Sequence, residues 1–207
     1  DYKTGVRAGG AGHYAKTGQV LPEDTYRACR DAHAMLHGAA GLPGVTYPDG
    51  TEVGNDLHLQ LRFRLDLYAN VRPIRLYRGV RSVLADRAPG SIDYVIVREN
   101  TEGLYASRGA GTNLRGEVCT DTLVVTRKGV ERVAKFSFEL ARRRKGAPRD
   151  GKRRVTVCDK ANILRSYAFF RAVCNEVAAG YPEVEIDYAY ADAVTVHSEV
   201  YGYDASR

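Results

Sequence analysis

Three arginines stand where predicted helices and strands meet, and their chemistry suits a substrate with several carboxylates. Arg62 lies on a predicted helix, Arg72 precedes a proline, and Arg98 ends a predicted strand. A guanidinium group matches a carboxylate with two parallel hydrogen bonds, so converging arginines would bind a di- or tricarboxylate. Spacing alone also allows a second interpretation, in which each arginine lies on the surface and pairs with a local acid.

Three further residues could move protons or hold a metal ion. Lys160, in the segment 159–162 (DKAN) between a predicted strand and a predicted helix, could serve as a general base. Tyr105, soon after the third arginine, could serve as a general acid. Asp192 could supply one of the oxygen ligands that Mg²⁺ or Mn²⁺ requires. The structural alternatives are a capping aspartate beside a solvated lysine, and an ordinary packing role for the tyrosine.

The elements that must position these residues alternate between helix and strand patterns, which predicts an α/β fold. Apolar residues recur with helical spacing in some segments, and β-branched residues dominate others. Pro73 cannot donate to a ladder, which favours either an edge strand or a position at the entry of the strand. The predicted helices span 22–37, 56–68, 127–144 and 162–179, and the predicted strands span 71–77, 92–98, 118–126, 153–158 and 184–190.

Composition excludes several other classes of protein. The 207 residues are 44% apolar and 27% charged, which is ordinary for a globular domain. No apolar run approaches the roughly 18–20 residues needed to cross a bilayer, and from the polar segment at Asp1 we expect no secretory signal. The four cysteines form no C-x-x-C pair, so we expect reduced thiols and a cytoplasmic location.

The net charge of +6 is concentrated in one segment. Residues 142–154 hold eight Lys or Arg and one Asp, a local sum of +7 that leaves −1 for the rest of the chain. A basic turn of this kind is usually a solvated connection after a helix, whose dipole favours arginine at that end. Binding of a polyanion such as nucleic acid is the less favoured alternative.

Four segments together resemble motifs of the β-decarboxylating dehydrogenases, the isopropylmalate/isocitrate/tartrate dehydrogenase family. Their order and spacing agree with the family's pattern from about residue 8 to about residue 197. Four motifs in register over most of the chain are a specific signal. The segments are 67–73 (LYANVRP), 97–105 (VRENTEGLY), 157–164 (VCDKANIL) and 190–193 (YADA).

The resemblance implies roles for the residues singled out above. Tyr105 matches the tyrosine that protonates C3 of the substrate, and Lys160 matches the lysine that helps to remove the C2 hydroxyl proton. Asp192 matches one of three metal-ligand aspartates. The positions that match substrate-binding residues are Arg62, Arg72, Arg98 and Asn162.

Two further segments resemble parts of the family's site. Asp56 and His58 lie where the family recognises the substituent at C3 of the substrate, although Asp56 could instead cap the helix. Their polar mixture matches neither the apolar groups of isopropylmalate enzymes nor the Ser and Asn of isocitrate enzymes. The segment that resembles a loop near the nicotinamide is Gly38-Ala39-Ala40-Gly41.

The resemblance also implies a reaction and an assembly. The enzyme would oxidise a 3-substituted (R)-malate, such as 3-isopropylmalate, isocitrate, tartrate or D-malate, with NAD or NADP, and release CO₂ with the help of Mg²⁺ or Mn²⁺. Residues 1–75 would belong to the large, cofactor-side domain, and residues 76–207 to the small substrate and dimerisation domain. A clasp near 112–126 would join two subunits in a homodimer whose active sites are shared.

The chain also departs from the family's pattern. The opening G-D-G-I-G-P-E loop, the segment with the two other metal aspartates and the G-S-A-P-D-I adenosine loop do not occur, and residues 198–207 do not follow the pattern. A non-catalytic relative that serves as a dimerisation or regulatory module is therefore an alternative. The presence of every matched arginine, together with Tyr105, Lys160 and Asp192, favours the enzyme.

We predict that the 207-residue chain by itself is inactive, because it carries one of three metal aspartates and little of the dinucleotide site. Purified chain mixed with NAD⁺, Mn²⁺ and isopropylmalate, isocitrate, tartrate or (R)-malate should produce no NADH absorbance. Measurable turnover by this chain would refute the expectation.

Overall fold

The computed structural model describes residues 7–82 and 84–193. The chain divides into two compact units between Leu67 and Tyr68. This division falls before the first strand of the second unit, whereas the resemblance placed a boundary near residue 75. Residues 198–207, which do not follow the family's pattern, lie outside the described residues.

The first unit is helical over its described residues. Helix α1 spans Ala11–Thr17, α2 spans Glu23–Asp31 and α3 spans Val53–Arg64. Two acids, Glu23 and Asp24, lie in the first turn of α2, where the helix dipole favours negative charge. The core of this unit consists of Ala11, Val20, Ala40, Val53, Leu57 and Leu61.

Two helix predictions in this unit are wrong at their ends. The helix predicted at 22–37 stops at Asp31, because the next residue adopts an extended conformation. The chain then continues without helix to Ala40, whose carbonyl accepts a hydrogen bond from the Ala11 amide at 2.8 Å and so ties the segment to α1. The helix predicted at 56–68 lies at Val53–Arg64 instead.

The second unit begins with a two-stranded antiparallel sheet. Strand β1 spans Ala69–Arg75 and β2 spans Asp93–Glu99, which confirms the strands predicted at these places. Pro73 lies opposite Val95, and the backbone bonds at both ends of the ladder make this a non-hydrogen-bonded pair. Proline therefore removes no bond between the strands, and its ring lies on the open edge of β1, as the sequence predicted.

A short, exposed hairpin occupies part of the predicted clasp. Strand β3 spans Thr112–Leu114 and pairs in antiparallel fashion with β4, Val118–Thr120. The strand predicted at 118–126 is too long, because pairing ends at Thr120. Val124 instead forms an isolated bridge with Gly103, which brings the chain to the start of the next helix.

The remaining elements are a long helix followed by a parallel β-α-β unit. Helix α4 spans Arg127–Arg143, β5 spans Arg154–Asp159, α5 spans Arg165–Ala178 and β6 spans Glu185–Tyr190. Strands β5 and β6 are parallel, and α5 supplies the crossover between them. Helix α5 begins later than the predicted residue 162 because residues 160–164 form turns. The core side chains are Val130, Ala134, Phe138, Ala141, Val157, Val173, Cys174 and Val184.

The described structure also bears on the membrane and redox expectations. Within residues 7–82 and 84–193, no helix is both long and apolar enough to cross a membrane. All four cysteines are free thiols. Burial raises the pKa of Cys174 to about 12, so this thiol is a packing group with little reactivity.

Truncation of the central aromatic residue of α4 should destabilise the second unit strongly. Phe138 is fully buried and stacks on Tyr181 with ring centroids 5.3 Å apart. We expect Phe138→Ala to lower the free energy of unfolding by about 3–5 kcal/mol, measured by urea titration. Phe169→Ala, at a position that is 37% exposed, is the matched control and should cost about 1 kcal/mol. Equal losses at both positions would contradict this packing account.

Candidate active site

Two of the predicted arginines lie on the same face of the first sheet. In the register, Asn70 lies opposite Arg98 and Arg72 lies opposite Ile96, so Arg72 and Arg98 are diagonal neighbours, roughly 7 Å apart at the backbone. The Asn70 side chain accepts a hydrogen bond from Nε of Arg72 at 3.1 Å. Neither arginine forms an ion pair with an acid among the described residues. These two guanidinium groups therefore form a cationic face that an acidic ligand could use.

The turn after β2 is built by a carboxylate that binds backbone amides. Glu99 accepts hydrogen bonds from the amides of Thr101 at 2.9 Å and Glu102 at 2.6 Å, and from the Thr101 hydroxyl at 2.7 Å. Arg132 of α4 lies 3.6 Å from the same carboxylate. Because Glu99 satisfies several donors at once, it fixes the direction in which the chain leaves the strand.

A second carboxylate, that of Glu102, attaches this turn to the start of α4. It accepts hydrogen bonds from the Thr126 amide, at 2.9 Å, and from the Thr126 hydroxyl. Thr126 is the N-cap of α4, and its hydroxyl oxygen accepts a bond from the Gly129 amide at 3.0 Å. A Cβ at position 129 would collide with the carboxylate of Glu102, so glycine is required there for the contact.

Tyr105 follows this fixed turn and lies beside Arg98. Gly103, with a φ of 73°, exchanges backbone hydrogen bonds with Val124 at 2.8 and 3.1 Å, which anchors the chain just before the tyrosine. The Arg98 guanidinium carbon lies 5.6 Å from the centroid of the Tyr105 ring. The phenol is half-exposed. An accessible phenol beside a cation is suited to deliver a proton to a bound anion.

The turn after β5 depends on a buried ion pair. Asp159 is completely buried, and both of its carboxylate oxygens accept bonds from Arg171 of α5, at 2.9 Å from Nε and 2.7 Å from the terminal nitrogen. The Ala161 amide donates to the same carboxylate at 2.8 Å. The Arg171 guanidinium also lies 4.8 Å and 5.2 Å from the rings of Tyr188 and Tyr190. Strand β5, helix α5 and strand β6 thus meet at one carboxylate.

This turn presents Lys160 to Asp192. The lysine ammonium lies 2.6 Å from the Asp192 carboxylate, and Lys160 is only 26% exposed. The hydrogen bond from Lys160 lowers the pKa of Asp192, which keeps the carboxylate ionised. Asn162 lies in the same turn with its side chain in solvent. Asp159 holds the turn by its bond from the Ala161 amide and does not cap α5, whose N-cap is Leu164, so the alternative of a capping aspartate is wrong. Lys160 is paired with Asp192 and not fully solvated.

Comparison with known proteins shows the family to which this chain belongs. The sequence profile described as isocitrate/isopropylmalate dehydrogenase matches residues 2–198. The chain belongs to the isocitrate/isopropylmalate dehydrogenase family. It is 40% identical over 200 residues to the 3-isopropylmalate dehydrogenase of Corynebacterium glutamicum (strain R), a match that covers 95% of this chain and 54% of that enzyme.

Other relatives agree with this family assignment. The 3-isopropylmalate/3-methylmalate dehydrogenase of Methanocaldococcus jannaschii is 39% identical, over 89% of this chain and 50% of that enzyme. The crystal structure of isocitrate dehydrogenase from Methylococcus capsulatus superposes with a TM-score of 0.75 at 33% identity, over 93% of this chain and 52% of that chain. The present chain thus spans about half the length of the family members that it matches.

The described residues do not by themselves form a divalent-cation site. Asp192 supplies one carboxylate, and Lys160 already neutralises it. Nowhere in residues 7–82 and 84–193 do three His, Cys, Asp or Glu side chains gather in a metal-binding group. Since Mg²⁺ and Mn²⁺ need several oxygen ligands, Asp192 could serve only as one ligand among others supplied from elsewhere.

The remaining residues that were predicted to bind the substrate lie in the first unit. Arg62 is half-buried in the last turn of α3. Asp56 does not cap that helix, because its carboxylate accepts bonds from the Tyr47 hydroxyl at 2.9 Å and the Gln60 amide at 2.7 Å. Burial and the neighbouring His37 lower the pKa of His58, whose ring lies 4.4 Å from that of His37.

The Gly38–Gly41 segment, which resembles the family's nicotinamide loop, packs closely on α3. The backbone of Gly41 lies where a Cβ of Gly54 would be, so the absence of a side chain at Gly54 permits the approach. Ala40 is buried, whereas Gly38, Ala39 and Gly41 are exposed. Part of the segment is therefore fixed to the helix while the rest remains accessible to a ligand.

The basic segment 142–154 is largely neutralised by neighbouring acids. Ion pairs connect Arg142 with Glu139 at 2.7 Å and Lys152 with Glu185 at 2.6 Å. The pair between Arg144 and Asp93 joins the end of α4 to the start of β2. These contacts support the interpretation of a structural connection and weaken the polyanion alternative.

Sequence reasoning missed the residues that hold the site in place. Arg171 lies inside an apolar helix, and its position there was the available signal, since an arginine among core residues usually has a buried acid as a partner. Glu99 and Glu102 are part of the family motif, but a carboxylate that binds backbone amides leaves no chemical signature in the sequence. All three hold residues for which the resemblance implies a role in the chemistry.

Loss of the buried guanidinium should destabilise the second unit far more than loss of an exposed one. Arg171→Leu leaves the Asp159 carboxylate buried without its partner, and we expect a loss of about 3–5 kcal/mol in unfolding free energy. Arg142→Leu removes an exposed pair with Glu139 and should cost at most about 1 kcal/mol. Chemical denaturation of both variants provides the comparison, and a small effect at Arg171 would contradict the anchoring role.

Proposed function

We propose that this chain is the substrate-binding part of an enzyme that oxidises and decarboxylates a 3-substituted (R)-malate. The observation that supports it is the cationic face of Arg72 and Arg98, with Tyr105 beside it. Two neighbouring guanidinium groups without acidic partners among the described residues suit a ligand with more than one carboxylate. The substrates named by its relatives, 3-isopropylmalate and 3-methylmalate, are of this class.

The roles of the residues follow from their positions. Arg72 and Arg98 would bind carboxylates and orient the malate core, with Arg62 as a third contact in the complete enzyme. Tyr105, next to Arg98, would return a proton to C3 after CO₂ has left. Lys160, held in place by the turn at Asp159, would take the proton of the C2 hydroxyl.

The complete enzyme would use NAD, with NADP as the alternative, and Mg²⁺ or Mn²⁺. When bound, the nicotinamide would supply a hydride acceptor for C2, and the divalent cation would supply positive charge near the substrate oxygens. Gly38–Gly41 is the segment of this chain that would contact the nicotinamide. Asp192 would provide one metal ligand. Chelation with EDTA should abolish activity of the complete enzyme, and added Mn²⁺ should restore it.

A homodimer with shared active sites is part of this proposal. The hairpin of β3 and β4 is exposed along its whole length, and two of its apolar side chains, Leu114 and Val118, are 55% and 50% exposed. Apolar groups on such a hairpin are suited to a protein interface. In the dimer, Lys160 and Asp192 of one subunit would complete the site formed by Arg72, Arg98 and Tyr105 of the other.

The substituent at C3 of the substrate would be recognised near Asp56 and His58. Asp56 is bound by Tyr47 and Gln60 and is therefore engaged within its own unit. His58 is the accessible member of the two. A polar substituent is thus the better match, which favours a tartrate-like substrate over isopropylmalate.

The direct test is an assay of the full-length protein encoded by the natural gene. NAD⁺ and NADP⁺ reduction should be measured with isopropylmalate, isocitrate, tartrate and (R)-malate, with CO₂ trapped in parallel. We expect one substrate to give equal amounts of NADH and CO₂. Absence of turnover with all four substrates in a folded, Mn²⁺-loaded protein would contradict the proposed function.

Two substitutions in the full-length enzyme test the assigned roles. Tyr105→Phe and Lys160→Met should each lower kcat by about 10²–10⁴-fold, because each removes a proton-transfer group, and should leave the unfolding transition nearly unchanged. Tyr77→Phe and Lys152→Met are matched surface controls and should keep normal rates. Near-normal kcat in both test variants would show that the roles are wrong.

A further inference from the structure

Arg132 is a charged side chain of helix α4 that has no part in the proposed mechanism. Its side chain is only 20% exposed, against 47% for Arg142 on the same helix. Burial of a guanidinium group costs free energy unless other groups compensate for the lost water. Arg132 therefore needs strong partners, and they lie in two segments that carry site residues.

The first partner is the turn that follows β2. The terminal nitrogen Nη2 of Arg132 donates to the Thr101 hydroxyl at 2.6 Å and lies 3.6 Å from the Glu99 carboxylate. The same hydroxyl donates to Glu99 at 2.7 Å. Because an arginine can only donate and an ionised carboxylate can only accept, both roles of the Thr101 hydroxyl are determined. Two charge-assisted bonds thus run in series from α4 through Thr101 to Glu99.

The second partner is Tyr68, the residue before β1. The Arg132 guanidinium carbon lies 4.7 Å from the centroid of the Tyr68 ring, within the range of a cation–π contact. The Tyr68 carbonyl accepts a hydrogen bond from the Asn100 amide at 2.8 Å, so Tyr68 adjoins the turn after β2. Arg132 therefore binds the start of one strand of the first sheet and the end of the other.

The helix that carries Arg132 is itself fixed in the core. Val130 and Ala134, which flank Arg132, are buried in the core cluster that α4 shares with β5 and α5. The Glu102 carboxylate also binds Thr126, the N-cap of the same helix. Interiors are packed too closely for a helix to shift freely, so a side chain on this helix restrains the turn that it binds.

Arg132 and the Arg98 side chain lie on opposite faces of the first sheet. Side chains alternate along a strand, so Arg98 and Glu99 point to different faces. Arg132 reaches Glu99 from α4, which places it behind the sheet as seen from Arg98. Tyr105 follows the turn and returns to Arg98, whose guanidinium carbon lies 5.6 Å from the ring centroid. The position of Tyr105 beside Arg98 thus depends on the turn that Arg132 holds.

We propose that Arg132 is a positioning residue, which holds the turn 99–102 so that Tyr105 lies beside Arg98 and can deliver a proton. This inference rests on the proposed function, in which Tyr105 protonates C3 of the substrate. Arg132 acts from behind the sheet and through the turn. An error of about 1 Å in the position of a reacting group can lower a rate by about 10²-fold, so a side chain remote from the substrate can control the chemistry.

Steady-state kinetics of the full-length enzyme test this role. Arg132→Met keeps an unbranched side chain but removes the charge and every donor. We expect it to lower kcat by about 10–100-fold and to change KM for the acid substrate by less than about threefold, since Arg72 and Arg98 stay on their strands. Arg142→Met, at an exposed position of the same helix, is the matched control and should keep the normal kcat. A normal kcat in Arg132→Met would overturn the proposal.

A double-mutant cycle shows whether Arg132 acts through Tyr105. Tyr105→Phe removes the proton donor, so the exact position of the ring no longer affects proton transfer. Arg132→Met added to Tyr105→Phe should therefore lower kcat by less than about a further twofold. If the two losses multiply instead, Arg132 acts independently of Tyr105 and is not its positioning residue.

Hydrogen exchange separates this inference from the proposed function. The amides of Thr101 and Glu102 bind Glu99, so they report whether the turn is held. In full-length Arg132→Met we expect both amides to exchange at least about tenfold faster, while the amides that join β1 and β2 keep their rates. Unchanged exchange would contradict the inference even if kcat falls. If the unaltered enzyme oxidises none of the four acids, the proposed function fails, and this exchange still decides whether Arg132 holds the turn.

Arg132→Lys keeps the test decisive if Arg132→Met does not fold. Lysine retains a positive charge for Glu99 and a donor for Thr101, but it lacks the planar group that lies on Tyr68. We expect this variant to fold, to have a lower kcat than the unaltered enzyme, and to lose that difference in the Tyr105→Phe background. A loss of kcat that persists in full after Tyr105→Phe would overturn the proposal.

Discussion

The turn of the candidate active site that carries Lys160 depends on one buried carboxylate, that of Asp159. A fully buried carboxylate is costly unless strong donors satisfy it, and Arg171 and the Ala161 amide do so. The turn cannot rearrange without breaking these bonds. Lys160 is thereby held at the end of β5, within 2.6 Å of Asp192.

Carboxylates also hold the other turn of the site, which follows β2. Glu99 and Glu102 bind backbone amides and the start of α4, so these acids are engaged in holding the structure. The nearby Arg72 and Arg98 have no acidic partner among the described residues. Carboxylates that fix turns and arginines that remain available together create a positive face, which is the requirement for binding an acidic substrate. The site is therefore positively charged because its acids bind the turns and do not neutralise its arginines.

The sequence predicted those features that arise from local patterns. The strands at β1, β2, β5 and β6 and the long helix α4 were predictable from β-branched runs and helical periodicity. The family motifs identified Arg72, Arg98, Tyr105 and Lys160 as site residues, and the structure places the first three near one another. The position of Pro73 at an open edge also followed from its missing amide.

Features that depend on distant contacts were not predictable. Helix α2 ends at Asp31, and the segment that follows it is bonded through Ala40 to Ala11, a residue well before it in the chain. Arg171 is linked to Asp159 across a helical turn and a strand end, which no local pattern reveals. Asp56 looked like a helix cap, yet Tyr47 and Gln60 bind it instead. In each case a tertiary hydrogen bond decided the local structure.

The most direct test of this account is the exchange rate of the Ala161 amide, measured by NMR on the 207-residue chain. If the Asp159 carboxylate fixes the turn, this amide should exchange at least about 100-fold more slowly than in an unstructured peptide, at a rate near that of the β5 amides bonded to β6. Exchange of Ala161 at the rate of a free peptide, while β5 remains protected, would contradict the claim that the buried ion pair positions Lys160.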